Sequence, residues 1–346
     1  MSGTHKERVL RALLRQPVDR LPTQINYTVT MGKKLADFYA ISPDELPVRL
    51  DNHLIRVDIS FPQRMRLDDN SRIDWWGAGH DLNEEGYFIN FSPLASSKNL
   101  DDFPWPDPYN PNLLEQARQT IQKYGGEYFI VPNLGWALFE RAWSLRGFEQ
   151  MFMDMVLEPK FVSALLERII EIQLVLIQRF IDLGVDGGYF GDDYGAQKGL
   201  LFSPKMWRQL IKPGLKRLFA PFRDRDLPVI MHSDGQIQQV LPDLIEIGMT
   251  TLNPVQPEVV SHQWLHANYG GRLSFYGGVS TQTVLPHGDP DQVRKAVETL
   301  VHILAPSNTG LILAPSHRLL SDVPFSNLDA LIAAFEEVNH RIDKNS

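Results

Sequence analysis

The sequence predicts an α/β fold: a (β/α)8 or TIM barrel forming a single domain over residues 1–346, with an amino-terminal helical and β-rich excursion. Two observations predict it. From Tyr128 onward, short apolar runs alternate with amphipathic stretches of helical period, the pattern of strand–helix–strand repeats. Each apolar run is near-continuous rather than alternating, which is the texture of parallel strands buried on both faces. The rival is a doubly wound open sheet. It calls for a Gly-rich phosphate loop after an early strand, and no Gly-x-Gly-x-x-Gly occurs in the chain.

The elements follow in order. Thr4 and Glu7 have capping-box spacing, and Val9, Leu10, Leu13 and Leu14 form one apolar stripe, so the first twenty residues open with a helix that Pro17 and Pro22 end. A strand is expected near Leu21–Tyr27. Between Leu46 and Pro111 the texture changes, with Asp74-Trp75-Trp76-Gly77, repeated turn signals and the Pro104-Trp105-Pro106-Asp107-Pro108 run. This stretch reads as a β-rich excursion ending in a stiff polyproline-like segment. Further strands are expected at Tyr128–Asn133, Gly187–Gly191, Pro228–His232, Thr250–Asn253, Leu273–Tyr276 and Gly310–Ala314. Ser203-Pro204 and Asp289-Pro290 place a cap before proline at the first helical position, and Ser326 precedes a helix over Asn327–Val338.

Composition narrows the function classes. The 346 residues are 43% hydrophobic and 22% charged, enough for an ordinary globular core. The formal charge is −8 without any block of Lys or Arg, which weighs against nucleic acid or an anionic membrane as partner. Cysteine is absent, so any metal must sit on His, Asp or Glu. Met1 to Arg20 is charged and amphipathic, and no segment reaches the roughly 20 apolar residues of a membrane span. A cytoplasmic protein is expected.

Polar residues gather directly after the apolar runs. Asp192-Asp193-Tyr194 follows Tyr189-Phe190-Gly191, and His232-Ser233-Asp234 follows Val229-Ile230-Met231. Asn253 with Gln256, Ser280 with Gln282, and Ser316-His317 obey the same rule. In a (β/α)8 barrel these strand ends share one mouth, where catalytic groups collect. Plainer readings stand beside this one. Asp192 or Asp193 could cap the next helix, and Asn253-Pro254 could be an ordinary turn. Gly191 and Gly195 suit close approach of a backbone or ligand, or a tight turn. His262, His266, His287 and His302 read as surface residues, whereas His232 and His317 face the mouth.

At these residues the chain resembles a known superfamily. His232-Ser233-Asp234-Gly235, then Leu241-Pro242-Asp243 through Gly248, and Leu252-Asn253-Pro254-Val255-Gln256 are similar to the central block of the uroporphyrinogen decarboxylase and corrinoid methyltransferase superfamily. Glu7-Arg8-Val9-Leu10 through Pro22 is similar to its start. Phe275-Tyr276-Gly277-Gly278-Val279 and Pro315-Ser316-His317 through Asn327 are similar to its end.

The resemblance implies a (β/α)8 barrel and leaves two activities. Decarboxylases of the family work without a cofactor and hold carboxylates with an Arg-Gln-Ala-Gly-Arg-Tyr motif. This chain has Gln24-Ile25-Asn26-Tyr27 there, and Val57-Asp58-Ile59 where the decarboxylases have Phe-Ser-Asp-Ile. Gln24, Asn26 and Asp58 are thus candidate substrate contacts, but without the arginine pair a porphyrinogen is disfavoured. The methyltransferase branch places zinc on a His-x-Cys pair and a later Cys. Here His232 and Asp234 match the pair and His317 the later position, a three-ligand set for zinc or another divalent metal, or else an acid–base pair at a lost metal site.

The leading expectation is methyl transfer to or from a corrinoid on a partner protein, or a folate-like acceptor. His232, Asp234, His317 and Asp192 are the catalytic candidates; Asp193, Tyr194, Asn253 and Gln256 join the substrate contacts. The alternative is a cofactor-free decarboxylase acting on a pyrrolic or other carboxylate substrate through Asp58 or the Asp192-Asp193 pair, with Arg56, Arg64 and Arg66 as the only nearby arginines. A homodimer suits the decarboxylase, and an open face on a monomer suits a corrinoid partner.

Overall fold

Seven short parallel strands frame the molecule. The structure, a computed structural model, describes residues 3–61, 64–65, 71–81, 85 and 88–345. Strand β1 (Leu54–Val57) opens the main sheet. An antiparallel excursion follows: β2 (Arg64–Met65), β3 (Ser71–Ile73), β4 (Gly79–Asp81) and β5 (Ile89–Phe91). The main sheet resumes with β6 (Phe129–Gly135) and β7 (Gly188–Gly191), after which β8 (Gly195–Ala196) and β9 (Gly199–Leu200) make a small ribbon. It ends with β10 (Val229–His232), β11 (Thr251–Asn253), β12 (Ser274–Val279) and β13 (Leu311–Pro315). The order is β1-β6-β7-β10-β11-β12-β13, parallel throughout.

Alternating residues sort into two cores, which is why every strand looks apolar throughout. Leu54, Phe129, Val131, Tyr189, Ile230, Tyr276, Ile312 and Ala314 join one buried cluster. Their neighbours Ile130, Phe190, Met231, Leu252, Phe275 and Leu313 join another, shared with the surrounding helices. Only a curled sheet can bury its inner face against itself while the helices cover its outer face. Burying one large apolar side chain contributes about 1.5–3 kcal/mol, so each strand adds substantially to both layers.

The crossovers between successive strands carry the helices. Phe139–Arg146, Phe148–Leu157 and Pro159–Asp182 link β6 to β7, and Pro204–Leu210 with Lys212–Arg223 links β7 to β10. Ser203 caps Met206 N, and Asp289 forms a capping box with Gln292 ahead of Pro290–Leu304, as their spacing predicts. The final helix runs Phe325–Asn345, longer than expected at both ends.

The first helix, His5–Leu13, carries the anticipated capping box between Thr4 and Glu7. It lies across the amino-terminal edge of the sheet. Val9 and Leu13 belong to the inner cluster. Lys6 N donates to Glu127 O at 2.8 Å, and Ser274 Oγ donates to Leu13 O at 3.0 Å.

Two expectations need adjusting. Leu54–Val57, expected within the excursion, pairs instead with β6; Arg56 divides its apolar run, so the strand lacks the continuous hydrophobic texture of the others. Residues 21–27 run extended beside β13 but make only isolated bridges, Thr23 to Leu313 and Tyr27 to Leu319. Leu313 N donates to Pro22 O at 2.8 Å and Gln24 N to Leu313 O at 2.9 Å. On the side of β1, His53 N reaches Thr23 O, while side-chain amides supply the other links: Ile25 N to Asn52 Oδ1 at 2.7 Å and Leu54 N to Gln24 Oε1 at 3.0 Å.

Candidate active site

Register brings the polar strand ends together. His232 lies opposite Gly191 on one side and Asn253 on the other, so the ends of β7, β10 and β11 are level. Val279 pairs with Pro315, which sets Ser316 and His317 just beyond β13 on the same edge.

His232, Asp234 and His317 converge there. Asp234 Oδ1 is 3.7 Å from His232 Nε2, and Asp234 Oδ2 is 3.8 Å from His317 Nε2. His232 Nδ1 lies 2.6 Å from Asn253 Oδ1, an oxygen that can only accept, so Nδ1 carries the hydrogen and Nε2 presents its lone pair. The orienting amide is itself fixed: Asn253 Oδ1 also accepts from the Tyr189 hydroxyl at 2.9 Å, and Nδ2 donates to Tyr276 O at 2.9 Å. Asp234 Oδ1 is buried without a hydrogen-bond partner. The three ligand atoms lie within 4.8 Å of one another. Bonds of about 2.0–2.2 Å to zinc hold ligand atoms roughly 3.4 Å apart, so the set fits such an ion if the atoms draw closer, Asp234 by a few tenths of an ångström to each imidazole and the widest pair by up to about an ångström. Burial pushes the His317 imidazole down to about 4 against the pull of Asp234, with His232, Arg318 and Arg56 pushing further down.

Neighbouring loops clamp Asp234. Asp193 Oδ1 accepts from Asp234 N at 2.8 Å, and Gln256 Oε1 accepts from Gly235 N at 2.8 Å. A Cβ on Gly195 would stand 2.6–2.7 Å from the backbone of Asp234, Gly235 and Gln236, so glycine there lets two loops touch. Gly235 itself has φ +77°, in the left-handed region.

The structure turns Asp192 and Tyr194 into the wall behind this clamp. Asp192 is fully buried, and its carboxylate accepts from Phe139 N at 2.8 Å, Glu140 N at 2.7 Å and the Tyr194 hydroxyl at 2.6 Å. It therefore caps the helix Phe139–Arg146, which precedes it in the chain, rather than the helix that follows. Burial raises its pKa to about 6 although all three donors pull it down. Tyr194 N donates to Ser233 Oγ at 3.1 Å. Glu140, which sequence reading passed over, has its carboxyl pushed well up by burial and by Asp193 and Asp192. It follows the end of β6, so the strand-end rule could have found it.

A third group lies toward β1. The Arg56 guanidinium is 4.8 Å from the centre of the Tyr189 ring. Asn26 Nδ2 donates to the Tyr276 hydroxyl at 3.0 Å, and Gln24 Nε2 donates to Asn26 Oδ1 at 3.1 Å. Asp58, exposed at the end of β1, accepts from Asn133 Nδ2 at 2.9 Å. Arg64 lies on β2 in the excursion, and Arg66 falls outside the described residues. His262, expected at the surface, is partly buried with Nε2 2.9 Å from Val255 O.

The family described as uroporphyrinogen decarboxylase (URO-D) has a model that matches residues 83–338. The chain belongs to the uroporphyrinogen decarboxylase family. Its relatives include the methylcobamide:CoM methyltransferase MtbA of Methanosarcina acetivorans, 22% identical over 95% of this chain and 96% of that protein. The MtbA of Methanosarcina mazei is likewise 22% identical with the same coverage. A solved methyltransferase from Methanosarcina mazei superposes with a TM-score of 0.74 at 18% identity, over 97% of this chain and 99% of that one. The last likeness shows the shared fold. Both named relatives lie on the methyltransferase side of the family.

Proposed function

We propose that this chain is a methyltransferase that moves a methyl group to or from a corrinoid carried by a partner protein, or to or from a folate-like acceptor, at the strand-end site. The observation that carries the reading is the convergence of His232, Asp234 and His317, with a lone pair of His232 and a partnerless oxygen of Asp234 facing one point. The end-to-end alignment with methylcobamide:CoM methyltransferases supports it. On this reading residues 21–27 serve as the eighth strand of a (β/α)8 barrel.

His232, Asp234 and His317 would hold zinc or another divalent ion, which would supply Lewis acidity at this edge. Asn253 keeps His232 in the ligating tautomer. Asp193 and Gln256 hold Asp234 in place through the backbone of its loop. Asp192 fixes the helix Phe139–Arg146, while Arg56 and Asn26 set the polarity beside the Tyr189 and Tyr276 rings and suit a small anionic substrate. With Asp and His in place of thiolates, the donor set favours an oxygen ligand on the acceptor over sulfur. Among the described residues no helix is long and apolar enough to cross a membrane, in keeping with a protein that works in the cytoplasm.

The test is metal content of the untagged protein beside an Asp234→Ala, His317→Ala double variant, with methyl loss from methylcobalamin followed in parallel. About one equivalent of zinc more than the double variant holds, and methyl transfer that the double variant lacks, are expected. A folded, metal-free protein that adding zinc leaves inactive would sink the reading. Release of carbon dioxide from a carboxylate substrate would then favour the decarboxylase, for which Arg56 beside Asp58 is the supporting feature.

A further inference from the structure

A second cluster of possible ligands lies at the opposite edge of the sheet. His5 is the first residue of the helix His5–Leu13. His53 immediately precedes β1, Asp51 stands two residues before His53, and Glu127 stands two residues before β6. These are the amino-terminal ends of the strands, whereas the site described above occupies their carboxyl ends.

We propose that His5, Asp51 and His53 form a divalent-cation site that fastens the first helix to the sheet. The inference stands apart from the methyltransferase reading.

The orientation of both imidazoles points to a ligand. His53 is fully buried, and its Nδ1 lies 2.9 Å from Asp51 O. A backbone carbonyl only accepts, so Nδ1 carries the hydrogen; the approach of Thr23 N to the same nitrogen, at 3.4 Å, is the longer contact and gives way to it. Nε2 then holds a lone pair, and it is buried with no hydrogen-bond partner. Among the described residues, nothing in the protein compensates for taking that nitrogen out of water.

His5 stands between two carboxylates, whose charge a bound cation would offset in place of a second ring proton. Its Nδ1 lies 2.5 Å from Glu127 Oε1, and its Nε2 is 3.5 Å from Asp51 Oδ1. Asp51 Oδ2 is held by Arg20 Nη2 at 2.7 Å, which leaves Oδ1 for the cluster. Each histidine thus rests its Nδ1 on an oxygen and leaves Nε2 as the nitrogen that can ligate, the arrangement of imidazoles that bind metal. Ligand atoms of His5, Asp51 and His53 all lie within 4.8 Å of one another. Bonds of about 2.1 Å require them to draw closer by an ångström or so, and His5, partly exposed at a helix start, can move. Two imidazoles and a carboxylate suit zinc, cobalt(II) or nickel(II) rather than magnesium or calcium.

The experiment starts from the full-length Asp234→Ala, His317→Ala protein, which removes the strand-end set. Zinc is added, excess is dialysed away, and bound metal and thermal midpoint are measured. About one equivalent of zinc is expected, with a rise of several degrees in the midpoint. Cobalt(II) at the same site should give visible d–d absorption. Adding His5→Gln should abolish both metal retention and the rise. Should that variant fold poorly, Glu127→Gln leaves all three ligands in place and should weaken zinc at least tenfold. Two outcomes overturn the proposal. In one, the folded double variant retains no zinc, which leaves His5 as a protonated bridge between Glu127 and Asp51. In the other, zinc retention is indifferent to His5 and Glu127.

Discussion

Asn253 Oδ1 lies 2.6 Å from His232 Nδ1 and 2.9 Å from the Tyr189 hydroxyl, so one amide oxygen fixes which imidazole nitrogen faces Asp234. Replacing it frees the ring to flip or change tautomer. Asn253→Leu should weaken zinc at the strand-end site and slow methyl transfer by roughly 10–100-fold while the far-ultraviolet dichroism stays unchanged. Competition with a chelator checks the first effect. Wild-type affinity in this variant would show that His232 is not a ligand.

Asp192 should matter to stability more than to chemistry. Its carboxylate fills three donors at the start of the helix Phe139–Arg146. An amide in its place turns an NH2 toward a backbone N–H and strands it. Asp192→Asn should lose about 1–3 kcal/mol in urea unfolding with an unchanged slope. A loss below half a kilocalorie would show that the cap is dispensable.

Asp74 makes an acid-sensitive joint. Burial alone would raise its pKa, but hydrogen bonds from His80 and Arg141 and their charges outweigh burial and bring it to about 2. The folded pKa is below the unfolded value, so the unfolded chain takes up the proton first as pH falls. The stabilisation is therefore full above about pH 4 and lost between about 4 and 2, amounting to roughly 2 kcal/mol. Urea titrations across that window should show the decline, and Asp74→Asn should flatten it.

Gly195 offers a steric test. Its missing side chain is where the backbone of Asp234 and Gly235 lies. Gly195→Ala should displace Asp234 by several tenths of an ångström or more, costing at least tenfold in metal affinity at His232, Asp234 and His317, on the order of 1.4 kcal/mol. Dialysis against limiting zinc measures it. An alanine variant that binds as tightly as the parent would mean that the loop contact is not needed.

Legibility in the sequence followed the physics of each element. Strands β6, β7 and β10 to β13 announce themselves because both of their faces are buried. Strand β1 does not, since Arg56 interrupts it, and residues 21–27 look like a regular strand although Asn52 and Gln24 side chains replace part of its ladder. His232, Asp234 and His317 were visible as strand-end residues, and their convergence follows from register. Three relationships were out of reach. Asp192 caps a helix that precedes it by some fifty residues, Glu140 is perturbed by carboxylates from another loop, and His5 meets His53 across the edge of the sheet. Each arises from proximity created by folding, which neither periodicity nor local spacing encodes.

The placement of the first helix bears on traffic. With Val9 and Leu13 lodged in the inner cluster, the amino-terminal end of the curled sheet is stoppered by apolar side chains. On the proposed methyl-transfer reading, a donor and an acceptor that meet beside His232 would both approach from the carboxyl edge. A bulky donor standing there would hinder a small acceptor that arrives second, so ordered addition with the small one first is favoured, and steady-state patterns of inhibition by product test it.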